Sequence, residues 1–122
     1  MSDILIQLME NNLKHVWSER DDVRRLTAIK TIYAEGSSLY HVGDKTEGWE
    51  AINKSAGGVL TSMPANFVFT KLKPVIINNS IGRLLWGVGP EGKPPVATGM
   101  DIAHFEKGKI KSLYVFLDNP NE

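Results

Sequence analysis

Residues 98–118 read TGMDIAHFEKGKIKSLYVFLD, and this stretch decides the fold. It predicts two long antiparallel strands joined by a tight turn at Glu106-Lys107-Gly108-Lys109. Side chains alternate across a strand, so Ala97, Gly99, Asp101, Ala103 and Phe105 share one face of the first strand. That face is mostly small residues around one carboxylate, which suits a pocket wall better than a packed core. A carboxylate on an otherwise apolar face is costly unless it is paired, hydrated or used. Asp101 is therefore the first candidate functional residue.

Upstream of this pair the pattern is strand, turn, strand. Residues 67–78 form a stretch interrupted by Pro74, residues 81–88 form a strand, and Gly89-Pro-Glu-Gly-Lys-Pro-Pro95 has the composition of a hairpin loop. Helical spacing dominates the first half of the chain. Leu5, Leu8, Met9, Leu13, Val16 and Trp17 form one apolar stripe. A second helix starts at Asp21-Asp22, carries Val23, Leu26, Ile29, Ile32 and Tyr33 on one face, and ends at Gly36. A short strand over 37–42 puts Leu39 and His41 on one face and Tyr40 on the other, and a turn follows over 43–48. The third helix buries Trp49, Ile52, Ala56, Val59, Leu60 and Met63 before Pro64 closes it. The expected fold is α+β, with three N-terminal helices packed on a curved antiparallel sheet.

A length of 122 residues fits one domain, 1–122, able to bury a core without staples. Formal net charge is zero, so no basic field argues for nucleic acid or an anionic membrane surface. There are no cysteines, which excludes disulfides, thiol nucleophiles and cysteine-held metals. The first residues lack the charge and cleavage pattern of a signal peptide, and no apolar run approaches the ~20 residues of a membrane span. A cytoplasmic location is the default expectation.

Several short motifs, taken together, carry a family resemblance. They are Trp17-Ser-Glu-Arg-Asp21, Ile32-Tyr-Ala34, the Gly48-x-x-Ala-Ile52 helix start and Thr98-Gly-x-Asp101. Phe105-x-x-Gly-Lys-Ile110 and Leu113-Tyr-Val-Phe-Leu-Asp118 complete the set. In order and spacing the chain resembles the nuclear-transport-factor-2-like superfamily, in its SnoaL-like or ketosteroid-isomerase-like branch. The resemblance covers nearly the whole chain and implies a cone: a rolled sheet around a long helix, with a pocket between them. Members include isomerases, dehydratases, cyclases and non-catalytic proteins, so the fold does not imply one reaction.

Asp101 matches the position of an oxyanion-stabilising aspartic acid in ketosteroid isomerases, where an apolar site keeps the acid protonated. His41 falls where those enzymes place a proton-abstracting aspartate, and Trp17 where they place a tyrosine hydroxyl. Both are departures. An indole donates only through its N–H and is no acid, and a histidine brings a different reach and charge, which argues against steroid isomerisation. A histidine does have a reference pKa, near ~6.5, suited to proton transfer. The resemblance thus implies His41 as base and Asp101 as its acidic or orienting partner, against the plainer alternative of a structural hydrogen bond at a pocket rim.

Leu39, Phe67, Phe69, Leu85, Tyr114 and Phe116 are the expected apolar lining, with Trp17 and Tyr33 as further ligand contacts. The aromatic residues could equally be core or interface. No cofactor is expected, and no metal, because no His/Asp/Glu cluster has metal-ligand spacing and His41 and His104, on opposite strand faces, do not converge. Three functions remain open: a lyase or isomerase of a carbonyl compound, a module that only binds a small apolar ligand, and an interaction protein. For the last, Met100, Ile102 and His104, with Leu84, Trp86, Val115 and Leu117, form an outer sheet face that a homodimer would cover. No nucleic-acid or membrane partner is expected.

Overall fold

The computed structural model describes residues 2–118. Helix α1 (Ser2–Asn11) runs on into a π-helical turn over Asn12–Val16, closed by Trp17 N–H donating to Asn12 O at 3.1 Å. Helix α2 spans Asp22–Ile32, capped by the Asp21 carboxylate, which accepts from the backbone N–H groups of Val23 and Arg24. Helix α3 spans Trp49–Thr61. The strands are β1 (Tyr33–His41), β2 (Asp44–Glu47), β3 (Phe67–Lys71), β4 (Ile76–Asn78), β5 (Ile81–Pro90), β6 (Ala97–Glu106) and β7 (Lys109–Leu117).

They form one curved sheet in the order β2-β1-β7-β6-β5-β3, with β4 paired to β5. The β6–β7 hairpin turns at Lys107 and Gly108, both at positive φ, the geometry that matches the right-handed twist of its strands. The helices cover the inner face, where Leu13, Val16, Ile29, Ile52, Leu84, Ala103 and Leu113 make a continuous core.

Three local expectations are corrected. The sheet is mixed, because β1 pairs with β7 in parallel. Tyr33 opens β1 rather than closing α2, and Gly36, at φ +75°, sits in a bulge where β1 shifts register against β7. Helix α2 stops at Ile32 because Tyr33 already pairs with Ile110. The turn expected over 43–48 is the short strand β2, hairpinned onto β1.

Candidate functional site

Between the inner sheet face and the helices lies a cavity of about 140 Å³. The π-helical turn and the residue after it supply Leu13 and Trp17, four apart and so on one face. Helix α3 supplies Val59, and Phe69 comes from β3. The sheet register supplies the rest. Leu84 pairs with Asp101 and Asp101 with Val115, while Trp86 pairs with Gly99 and Gly99 with Leu117. Directly paired residues share a face, so Trp86, Val115 and Leu117 look into the cavity with Asp101. Leu117 and the half-buried His41 stand at its mouth.

Asp101 is 4% exposed. Its Oδ1 accepts from the Trp86 indole N–H at 2.9 Å, and this is its hydrogen-bond partner among the described residues. Burial pushes its carboxyl up to about 7, only partly offset by the Trp86 donor. Trp86 can lie flat against β6 because residue 99 has no side chain; a Cβ there would stand 2.2 Å from the indole. Phe69 meets Trp86 edge to face at 5.2 Å between ring centres.

His41 packs edge to face on Trp17 at 6.1 Å between ring centres. Partial burial lowers its pKa from the ordinary value, with the Asp44 carboxylate pulling weakly the other way. His41 and Asp101 both line the cavity but make no hydrogen bond or ion pair with each other. One residue beyond the Tyr40–Tyr114 pair, His41 lies level with Val115, and Val115 pairs with Asp101. Two strand spacings separate them, about 10 Å across the sheet. A bound molecule, not a direct bond, would have to join them.

The structure places the other expected site residues as follows. Trp17 and Phe69 line the cavity. Leu39 and Tyr33 are fully buried in the core beneath it, and Phe67 packs partly buried at its edge. The Tyr33 hydroxyl donates to Asn12 Oδ1 at 2.7 Å, and burial holds its phenol above the usual range and therefore neutral. The Trp17 indole N–H lies close enough to the phenol to favour its ionised form against the larger effect of burial, yet forms no hydrogen bond of ordinary geometry and is a buried donor without a partner among the described residues.

Leu85, Tyr114 and Phe116 are corrected: they lie on the outer face, Tyr114 and Phe116 being 40% and 43% exposed. Conversely Leu84, Trp86, Val115 and Leu117, expected outside, are on the inner face. The reason is that residues 84–86 and 113–117 are apolar at every position, so alternation gives no phase, and a one-residue slip exchanges the faces. Trp86 is the functional candidate that sequence reasoning missed. Only pairing with β6 could have found it, through glycine at its partner position. Among the described residues, no three His, Asp or Glu side chains group to hold a metal ion, and no helix is long and apolar enough to cross a membrane.

This architecture is that of the nuclear-transport-factor-2-like cone proteins, in the form shared by SnoaL-like and ketosteroid-isomerase-like proteins. A candidate isomerase of the SnoaL-like family from Agrobacterium tumefaciens str. C58 superimposes with a TM-score of 0.85 at 22% identity, over 98% of this chain and 100% of that one. A candidate SnoaL-like polyketide cyclase from Jannaschia sp. CCS1 gives 0.79 at 11% identity, over 95% and 86% of the two chains. A candidate ketosteroid isomerase from Kribbella flavida DSM 17836 gives 0.73 at 9%, over 98% and 82%. No protein-family model and no curated protein matches the sequence. At these identities the likeness shows the fold, and the reaction has to be argued from the site.

Proposed function

We propose that the chain is a small-molecule isomerase or lyase that acts by proton transfer on a carbonyl compound. One observation carries this reading: an imidazole whose pKa is lowered by burial and a buried acid whose pKa is raised by it stand at two sides of one apolar cavity, with no hydrogen bond or ion pair between them. Pairs of titratable groups whose environments set opposite roles are how a site does acid and base chemistry near neutrality. His41 takes a proton from the carbon beside the carbonyl. The C–H electron pair moves into a new C=C bond, and the carbonyl oxygen becomes an enolate oxygen that accepts a hydrogen bond, or the proton, from Asp101. The His41 proton then returns at another carbon, or leaves with an expelled group. The candidate isomerase and cyclase of like fold support the reaction class.

In deuterated water the native chain is expected to exchange the α-proton of a bound ketone, followed by NMR. His41→Gln should slow this by about 10²-fold or more, the usual share of a positioned general base. A loss below threefold would remove His41 as the base. A module that holds its ligand unchanged is the second reading, favoured by the lack of direct His41–Asp101 contact; intact ligand after long incubation, with no exchange, would establish it.

We also propose that the chain forms a homodimer through the outer sheet face. There Tyr40 stacks on Tyr114 with ring centres 4.5 Å apart, and Ile102, Met100, Phe116 and Leu85 continue a half-exposed apolar strip across the paired strands. Light scattering at micromolar concentration should give twice the chain mass, and Tyr114→Glu should give the monomer. A monomeric native chain would contradict this.

A further inference from the structure

We propose that the cavity selects a molecule of single-ring size, with one oxygen set against Asp101, and excludes fused-ring skeletons and anions; the role of that oxygen rests on the proton-transfer reading. Size follows from the walls. The cavity of about 140 Å³ is close to the ~150 Å³ of an engineered apolar cavity that takes benzene. It is well below the ~300–1,000 Å³ of pockets for drug-sized ligands. Trp17, Phe69 and Trp86 set its width, Phe69 standing edge to face against both indoles. The indoles have little room to retreat. Both are buried, and Trp86 already rests on the bare backbone of Gly99.

Charge selection follows from the lining. Among the described residues no Lys or Arg faces the cavity, and its surface is almost wholly apolar apart from Asp101 and His41. An anion would lose its water there without gaining a cation, and an ionised Asp101 would repel it. A neutral carbonyl oxygen suits the site best, because Trp86 takes Asp101 Oδ1 and leaves Oδ2 to donate to it when protonated. The cavity can grow in one direction. Leu13 and Phe69 also wall a larger groove outside, at the Glu10–Lys71 ion pair, so these two side chains separate the cavity from that space.

Calorimetric titration of the whole chain at pH 6.5 with 2-cyclohexen-1-one, benzoate and a four-ring steroid enone tests this. Cyclohexenone is expected to bind and to change the tryptophan emission, benzoate at least tenfold more weakly, and the steroid not at all. Phe69→Ala, checked for native circular dichroism, should bind a two-ring enone at least tenfold more tightly than the native chain does. Binding of the steroid or of benzoate as tightly as cyclohexenone, or no binding of cyclohexenone at millimolar concentration, would overturn the proposal, whatever Phe69→Ala does. α-Proton exchange is scored separately in the same samples. Cyclohexenone binding without exchange leaves the selection intact and removes the proton-transfer reading. Exchange of a bound steroid does the reverse.

Discussion

Asp101→Asn is expected to make the folded chain more stable than the native one at pH 8, while abolishing most of its α-proton exchange. The carboxyl is raised from an ordinary 3.8 to about 7 by burial. Between these values the unfolded chain has released the proton and the folded chain still holds it. Stability from this group is therefore complete below pH 4, falls as pH rises, and is lost once pH passes about 7. A shift of this size corresponds to a loss on the order of 4 kcal/mol. Asparagine keeps an oxygen that can accept from the Trp86 indole and removes the charge, so the native-minus-variant difference isolates the effect from the surface carboxylates. Urea unfolding from pH 4 to pH 9 measures it. Parallel pH profiles for the two proteins would mean that Asp101 is ionised at little cost, and the acid role assigned to it would fall. The exchange rate of the native chain should instead hold through that fall in stability and decline as pH rises past about 7, where folded Asp101 loses the proton it shares with the substrate oxygen.

Arg25→Ala is expected to cost about 3 kcal/mol or more, one of the larger effects open to a single substitution away from the cavity. Arg25 is 1% exposed. Its guanidinium donates to Asn53 Oδ1 at 2.6 Å, to the Glu19 carbonyl at 2.9 Å and to the Asp22 carboxylate, tying the loop before α2 to α3. Most of the Asp22 side chain stays in water, so the ion pair is the smaller part of this. The larger part is a void the size of a buried arginine together with the Asn53 and Glu19 acceptors left unpaired. Arg25→Lys should recover little, because one ammonium cannot reach three acceptors spread around a planar fork. Chemical unfolding of the two variants is the measurement, and a loss under 1 kcal/mol for Arg25→Ala would show that the network holds nothing in place.

Arg25 also occupies a position that local sequence leaves undetermined. It belongs to the run Glu19-Arg-Asp-Asp-Val-Arg-Arg25, which reads as a solvated helix start with one internal pair possible from Arg24 or Arg25. Composition cannot choose between adjacent arginines. The helix rotation chooses, turning Arg24 to solvent beside Glu19 and Arg25 inward.

The sequence by itself determined the α+β layout of helices before strands, the tight turn at Lys107-Gly108, and the face of β6 on which Asp101 sits. In each of these, small, polar or glycine residues alternate or are spaced against apolar ones, so the period carries a phase. It also set Leu39 and His41 on one side of β1 and Tyr40 on the other, as the Tyr40–Tyr114 stack agrees. Only the tertiary structure decided which faces of β5 and β7 look inward, and hence that Trp86 rather than Leu85, and Val115 rather than Tyr114, meet Asp101. Runs that are apolar at every position satisfy either register locally. The choice is made by pairing across the sheet, where the Trp86 indole needs the empty side of Gly99 and the buried carboxylate needs the indole's proton.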